Sequence, residues 1–145
     1  MDFRRRCCLH VSVPDGSRDR PDRFIFHIAF ESDWRAAERD GEYRVSTRGK
    51  RLEDVGFIHA GFEHQVLDVG AAFYRDAPEP LAVLVIDTGQ LDVPVVVENL
   101  EGGDELFPHI YGALPARAVI EVRPAGVTSA GEFVISRPVA PEPSP

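Results

Sequence analysis

The sequence predicts an α+β domain with two main helices on a mixed or mostly antiparallel β-sheet. Two segments carry helical spacing and about six carry strand character, and the two kinds do not alternate as a parallel βαβ architecture requires. The chain of 145 residues, 43% hydrophobic and 28% charged, has room for one core of ordinary size.

Taken in order, residues 1–23 read as a flexible N-terminal extension, in which Arg4, Arg5 and Arg6 precede a weak apolar run from Cys7 to Val13 and a polar stretch from Pro14 to Arg23. The run is short, contains His10 and is followed by no small-residue cleavage site, so it is not read as a secretory signal. The domain proper is expected over 24–124. Phe24 to Ile28 reads as a strand with His27 as its odd member. Ser32 is placed to cap a helix from Asp33 to Asp40, with Trp34 and Ala37 on its inner face and Gly41 ending it. Tyr43 to Val45 reads as a short strand, and the Arg-rich stretch from Ser46 to Val55 as a mobile loop.

Phe62, Val66, Val69 and Phe73 recur at spacings of four, three and four, one stripe of an amphipathic helix over Phe62 to Arg75. Asp76 to Pro80 breaks it. Leu81 to Ile86 is then a buried central strand, with Asp87 opening a turn, and Val93 to Glu98 is another strand. Glu101 to Glu105 reads as an acidic loop, Phe107 to Gly112 as irregular, and Ala118 to Val122 as the strand that closes the core. The C-terminal extension, 125–145, holds an edge strand at Glu132 to Ile135 and a Pro-rich disordered tail.

Composition narrows the function classes. A formal net charge of -8 argues against extended contact with nucleic acid or anionic lipid, although a local Arg pocket is compatible with it. No apolar run reaches the roughly 20 residues of a membrane-spanning helix. Cys7 and Cys8 are adjacent and are the only cysteines, which precludes a disulfide framework and fits a reducing cytoplasm. Phosphate-loop, dinucleotide Gly-x-Gly-x-x-Gly and nucleophile-elbow motifs are all lacking, and the histidines show no pairing typical of a metal site. The chain is therefore expected to bind a small-molecule or nucleotide ligand, with no metal and no tightly bound cofactor.

The densest chemistry lies between Gly56 and Gln65, where Phe57 and Ile58 form a short strand, His59 ends it, and Gly61 turns the chain toward the next helix. A polar side chain at a strand end beside a helix N-terminus is well placed for a ligand. His64, on that helix, is expected to face solvent. Glu98 ends an apolar strand, where a carboxylate either pairs with an arginine or faces a cleft.

The order of Gly56-Phe57-Ile58-His59, Gln65, Leu84 to Asp87, Glu98 and Phe107-Pro108-His109-Ile110-Tyr111-Gly112, after a strand bearing His27 and a Trp-containing helix, resembles the bacterial family called domain of unknown function 952. The likeness spans about Phe24 to Pro124. That resemblance implies a fold related to the ADP-ribosyltransferases, with a split β-sheet and a cleft that holds NAD. It implies His27 against a ribose, Glu98 on a ribose hydroxyl and on positive charge at the anomeric carbon, and Tyr111 or Tyr43 stacked on nicotinamide. His59 and His109 belong to the family's own motifs, and Phe57 lies beside the first of them. The family usually carries serine where Gly61 stands, so a helix cap and a hydroxyl are missing.

The expected function is a small enzyme that binds NAD or a related nucleotide as substrate and cleaves or transfers at the ribose anomeric carbon, with His59, Glu98 and His109 as catalytic residues, and His27, Tyr111, Tyr43 and Phe57 as ligand contacts. One alternative is a lyase, cyclase or isomerase of a small metabolite, in a biosynthetic setting, using histidine acid–base chemistry. The other is a non-catalytic ligand-binding module.

Overall fold

The computed structural model describes residues 23–100 and 103–136. The N-terminal extension up to residue 22, with Cys7, Cys8 and His10, and the Pro-rich tail lie outside them.

The apolar segments assemble two antiparallel sheets. Strands β1 (Phe24–Phe30), β6 (Leu81–Asp87), β10 (Val119–Val127) and β11 (Phe133–Ile135) form the larger, in the order β11-β10-β6-β1. Strands β5 (Ile58–His59), β7 (Val95–Glu98) and β8 (Phe107–Ile110) form the smaller, with β8 in the middle. A single bridge ties the two, in which Phe26 and Gly61 exchange both backbone hydrogen bonds at 2.7 Å. The remaining strands are short: β2 (Glu42–Tyr43) pairs with β9 (Leu114–Pro115), and β3 (Val45–Thr47) with β4 (Lys50–Arg51). The α+β class and the antiparallel sheet stand as the sequence predicts.

The side-chain period of two along β1 and β6 divides the interior. Ile25, Ala29, Leu84 and Ile86 face one way and meet Trp34 and Ala37 of α1 (Glu31–Asp40) and Ile58, Val95 and Ile110 of the smaller sheet. Phe26, Ile28, Val83 and Val85 face the other way and meet Val66 of α3 (Glu63–Phe73), with Tyr74 and Phe133. The larger sheet thus packs on both faces, which is why β6 is buried along its whole length.

Helix α3 approaches β11 at Gly70, where an added Cβ would lie 2.3 Å from Cδ2 and 2.5 Å from Cγ of the buried Phe133 ring. The whole ring would have to move. Gly70→Ala is expected to destabilise the fold by about 1–3 kcal/mol, the usual cost of overpacking, measured by urea unfolding.

The structure revises several elements. Helix α1 begins one residue before Ser32, with Phe30 at the N-cap; the Ser32 hydroxyl instead donates to Glu79 Oε1 at 3.0 Å. Gly41 does end it, at φ 93°. The stretch read as a mobile loop is a β3–β4 hairpin followed by the one-turn helix α2 (Leu52–Val55). The segment read as irregular is strand β8. The expected domain boundary after Pro124 falls inside β10, and β11, the edge strand read from the sequence, extends the main sheet. Asp87 is held by Arg23 at 3.0 and 3.1 Å and accepts from the Gly89 N–H at 2.9 Å, a turn residue as expected.

Candidate functional site

The face of the smaller sheet that points away from the core carries the site. Ile58, Ile110 and Val95 pack inward, so the period of two sends Phe57, His59, Phe107, His109, Tyr111 and Glu98 to the other side. His59 and His109 are direct cross-strand partners, with ring centroids 5.1 Å apart. Phe57 stacks on His109 at 4.2 Å and 21°, meets His59 edge-on at 4.8 Å and leans on Tyr111 at 5.3 Å.

Glu98 ties this face together. Its Oε2 lies 2.9 Å from His109 Nδ1 and accepts a hydrogen bond from the Tyr111 hydroxyl. A carboxylate accepts, so His109 donates from Nδ1, and in the neutral ring Nε2 is the basic nitrogen. His109 is buried, at 1% exposure, and the Glu98 side chain is partly exposed. Burial first, and then the hydrogen bond to Glu98 and its charge, push the Tyr111 phenol well above its ordinary pKa. Tyr43 and Tyr74 are also raised, mainly by burial, so all three tyrosines of the chain resist ionisation. A raised acid contributes stability below its unfolded pKa and loses it as pH rises through the folded value. An alkaline absorbance titration is expected to show little phenolate at pH 10, then a steep rise coincident with unfolding.

The structure places His27 and Tyr43 off this face, with their polar atoms engaged inside the fold. The His27 ring projects into the core on β1, where Nδ1–H donates to the His59 carbonyl at 2.5 Å and Nε2 accepts from the Tyr43 hydroxyl at 2.9 Å. Both ring nitrogens are spent, and burial holds the His27 pKa down at about 4, so the ring is neutral. Tyr43, at 1% exposure, is edge-on to His27 and has no open face for nicotinamide. These residues position His59 through its backbone. The three histidines therefore do not converge; two of them do.

His59 is half-buried and stands where this face meets a cleft of about 480 Å³. Thr47 and Arg48 of the hairpin form one wall, Val69 and Phe73 of α3 another, and Ala60 and Phe107 complete it. Arg48 Nη1 donates to the Phe73 carbonyl at 3.1 Å and to Asp76 Oδ1 at 2.6 Å, which holds the hairpin against the end of α3. Phe73 belongs to the helical stripe yet is 60% exposed because it borders this cleft rather than the core. Sequence reasoning missed Arg48, Thr47, Phe73 and Phe107. The usable signal was the spacing of two in Phe57/His59 and Phe107/His109/Tyr111, which marks one strand face.

The turn into α3 is made without serine. Phe62 is the N-cap, one residue later than expected, and its N–H donates to Gln65 Oε1 at 2.9 Å. Gln65 Nε2 donates in turn to Glu105 Oε2 and the Leu106 carbonyl, at 2.9 and 2.8 Å, fixing the strand that leads to His109. Gln65 thus satisfies the N–H of the N-cap residue, while the N-cap makes no side-chain hydrogen bond to the first turn. A Cβ at Gly61 would meet only Gln65, at 3.6 Å, which is ordinary contact.

Residues 28–122 match the family model "Protein of unknown function (DUF952)". The chain belongs to this family. It is similar to the crystal structure of protein CC0527 from Caulobacter crescentus, with 24% identity and a TM-score of 0.65 over 77% of this chain and 93% of that one. The solution structure of CC0527 gives 25% identity and a TM-score of 0.60 over 75% and 90%. No curated protein matches the sequence. Among the described residues no helix is long and apolar enough to cross a membrane, and no group of three or more His, Cys, Asp or Glu is placed to hold a metal ion.

Proposed function

We propose that this domain is an acid–base enzyme acting on a small molecule, a lyase, cyclase or isomerase, in which His59 exchanges a proton with a ligand in the cleft. The observation that carries this reading is the pairing of His59 with His109 on one sheet face, with Glu98 and Tyr111 behind His109 and the cleft in front of His59. Imidazole titrates near neutral pH and suits this role, and a carboxylate that fixes the tautomer of a neighbouring histidine sets where a proton can go. His59 would touch the ligand, and His109, Glu98 and Tyr111 would position it and shape the field around it. The test is a ligand screen by NMR on the full chain. A binder that shifts His59 and is turned over by the wild type, but is bound without turnover by His59→Gln, supports the reading; binding with no turnover by either protein leaves a binding module.

NAD is the second reading, favoured by a cleft lined by Arg48 together with Phe73 and Phe107, a combination suited to a phosphate and a stacked ring. The two-part antiparallel sheet supports the finer kinship with ADP-ribosyltransferases. In this reading Glu98 would support positive charge at the ribose anomeric carbon. It ranks second because the Glu98 carboxylate is already engaged by His109 and Tyr111, and Tyr43 is enclosed. Nicotinamide release on incubation with NAD is its direct assay.

A further inference from the structure

Adjoining the cleft is a second, smaller cavity of about 40 Å³, and Thr47, His59, Ala60 and Val69 line both. Its walls include polar side chains, of which His27 and Ser46 are already hydrogen-bonded within the fold. His27 uses both ring nitrogens, and the Ser46 hydroxyl donates to the Phe57 carbonyl at 2.5 Å. Gly61 spends its N–H and its carbonyl on Phe26. The rest of the wall is Phe26, Ile28, Val66 and Val69. A water needs two to four polar partners to be held in a cavity, whereas an alkyl group needs none. The space suits roughly three water-sized groups, hence the last two or three carbons of a chain.

At the outer end, Arg48 is the only Lys or Arg among the described residues that lines the cleft. Its ion-pair partner Asp76 has a side chain 86% exposed. Solvent-screened pairs of that kind contribute little, so an incoming anion can take the place of Asp76.

We infer that the ligand is a small amphipathic anion, with its charged group at Arg48, its reacting atoms at His59 and a short alkyl end in the inner cavity. This deepens the cleft reading above and rests on it. The substrate class is then an alkyl carboxylate or alkyl phosphate rather than a polar metabolite charged at both ends.

The test is a titration of the full chain, followed by backbone amide NMR, with straight-chain carboxylates from acetate to octanoate, butyl phosphate, and the matching alcohols. Affinity is expected to rise about fourfold per methylene, the usual gain for burying one, and to level off once two or three carbons are enclosed. Shifts should centre on Ala60, Gly61 and Val69, and the anions should bind tighter than the alcohols. Whichever of butanoate and butyl phosphate binds more tightly identifies the anion. Arg48→Gln should erase the preference for anions, and Val69→Phe should erase the chain-length gain. Ala60→Val repeats the second arm if Val69→Phe fails to fold. Anion binding at the cleft without chain-length dependence overturns this inference and leaves the cleft reading standing. Shifts confined to other surfaces, or none at all, overturn this inference too, and the ligand screen above then decides the cleft reading.

Discussion

Exchange of His59 for Gln is expected to lower turnover of a cleft-bound substrate by about 10²- to 10⁴-fold, the range typical of a lost general acid or base. Its stability cost should stay within about 1 kcal/mol, because the ring is half-buried and lies at the cleft rather than in either core cluster. Glu98→Gln separates chemistry from support. It keeps the shape of the side chain but loses the charge that orients His109 and raises Tyr111, so kcat should fall and its pH profile should shift while the fold persists. Steady-state kinetics with a ligand found by the screen, run beside urea unfolding, decides the matter. A fall in ligand affinity equal to the fall in kcat/KM would assign His59 to binding alone.

The second large effect belongs to His27. Its ordinary pKa of 6.5 drops to about 4 on folding because burial opposes the charged ring. Between those values the unfolded chain binds a proton that the folded chain refuses, so stability rises with pH across this window. The neutral ring's contribution is complete above pH 6.5 and is lost as pH falls toward about 4. The shift corresponds to ~3 kcal/mol at full extent. Urea midpoints measured every half unit from pH 4 to 7 should trace it, and His27→Gln should flatten that part of the curve. The depressed carboxylate of Asp87 weakens the fold at still lower pH, so the comparison of the two proteins isolates the histidine.

Local patterning made the larger sheet legible in the sequence. Leu81 to Ile86 is apolar without a break because both of its faces are covered, and Trp34, Ala37 and Gly41 mark a short helix with one buried side and a left-handed end. The smaller sheet was harder. Its middle strand β8 contains Pro108, a residue that normally argues against a central strand. It is tolerated because β5 is only two residues long and contacts Pro108 through its carbonyl, which accepts from Ala60 N–H at 3.1 Å. Reading β8 as irregular hides the shared face of Phe107, His109 and Tyr111, although His59, Glu98 and His109 are each legible singly.

His27 shows the opposite difficulty. A histidine on an apolar strand carries no local sign of whether it faces a ligand or a neighbour, and its partners, Tyr43 and the His59 carbonyl, lie 16 and 32 residues away. The cleft wall escaped notice for a related reason. Thr47 and Arg48 sit beside a hairpin turn at Gly49, φ 77°, in a polar stretch whose composition looks like a solvated loop. Only the packing of that hairpin on α3 makes a wall of it.

The central claim is that His59 and His109 share one working face while His27 is a neutral core residue beneath it. Imidazole ¹⁵N NMR of the wild type and of His109→Gln tests it most directly. The predicted result is a His27 ring held as the neutral Nδ1–H tautomer from pH 8 down toward about 4, with His109→Gln displacing the ring resonances of His59 and leaving those of His27 in place. A His27 ring that titrates at its ordinary 6.5, or a His109→Gln protein in which His27 moves and His59 does not, would contradict the account.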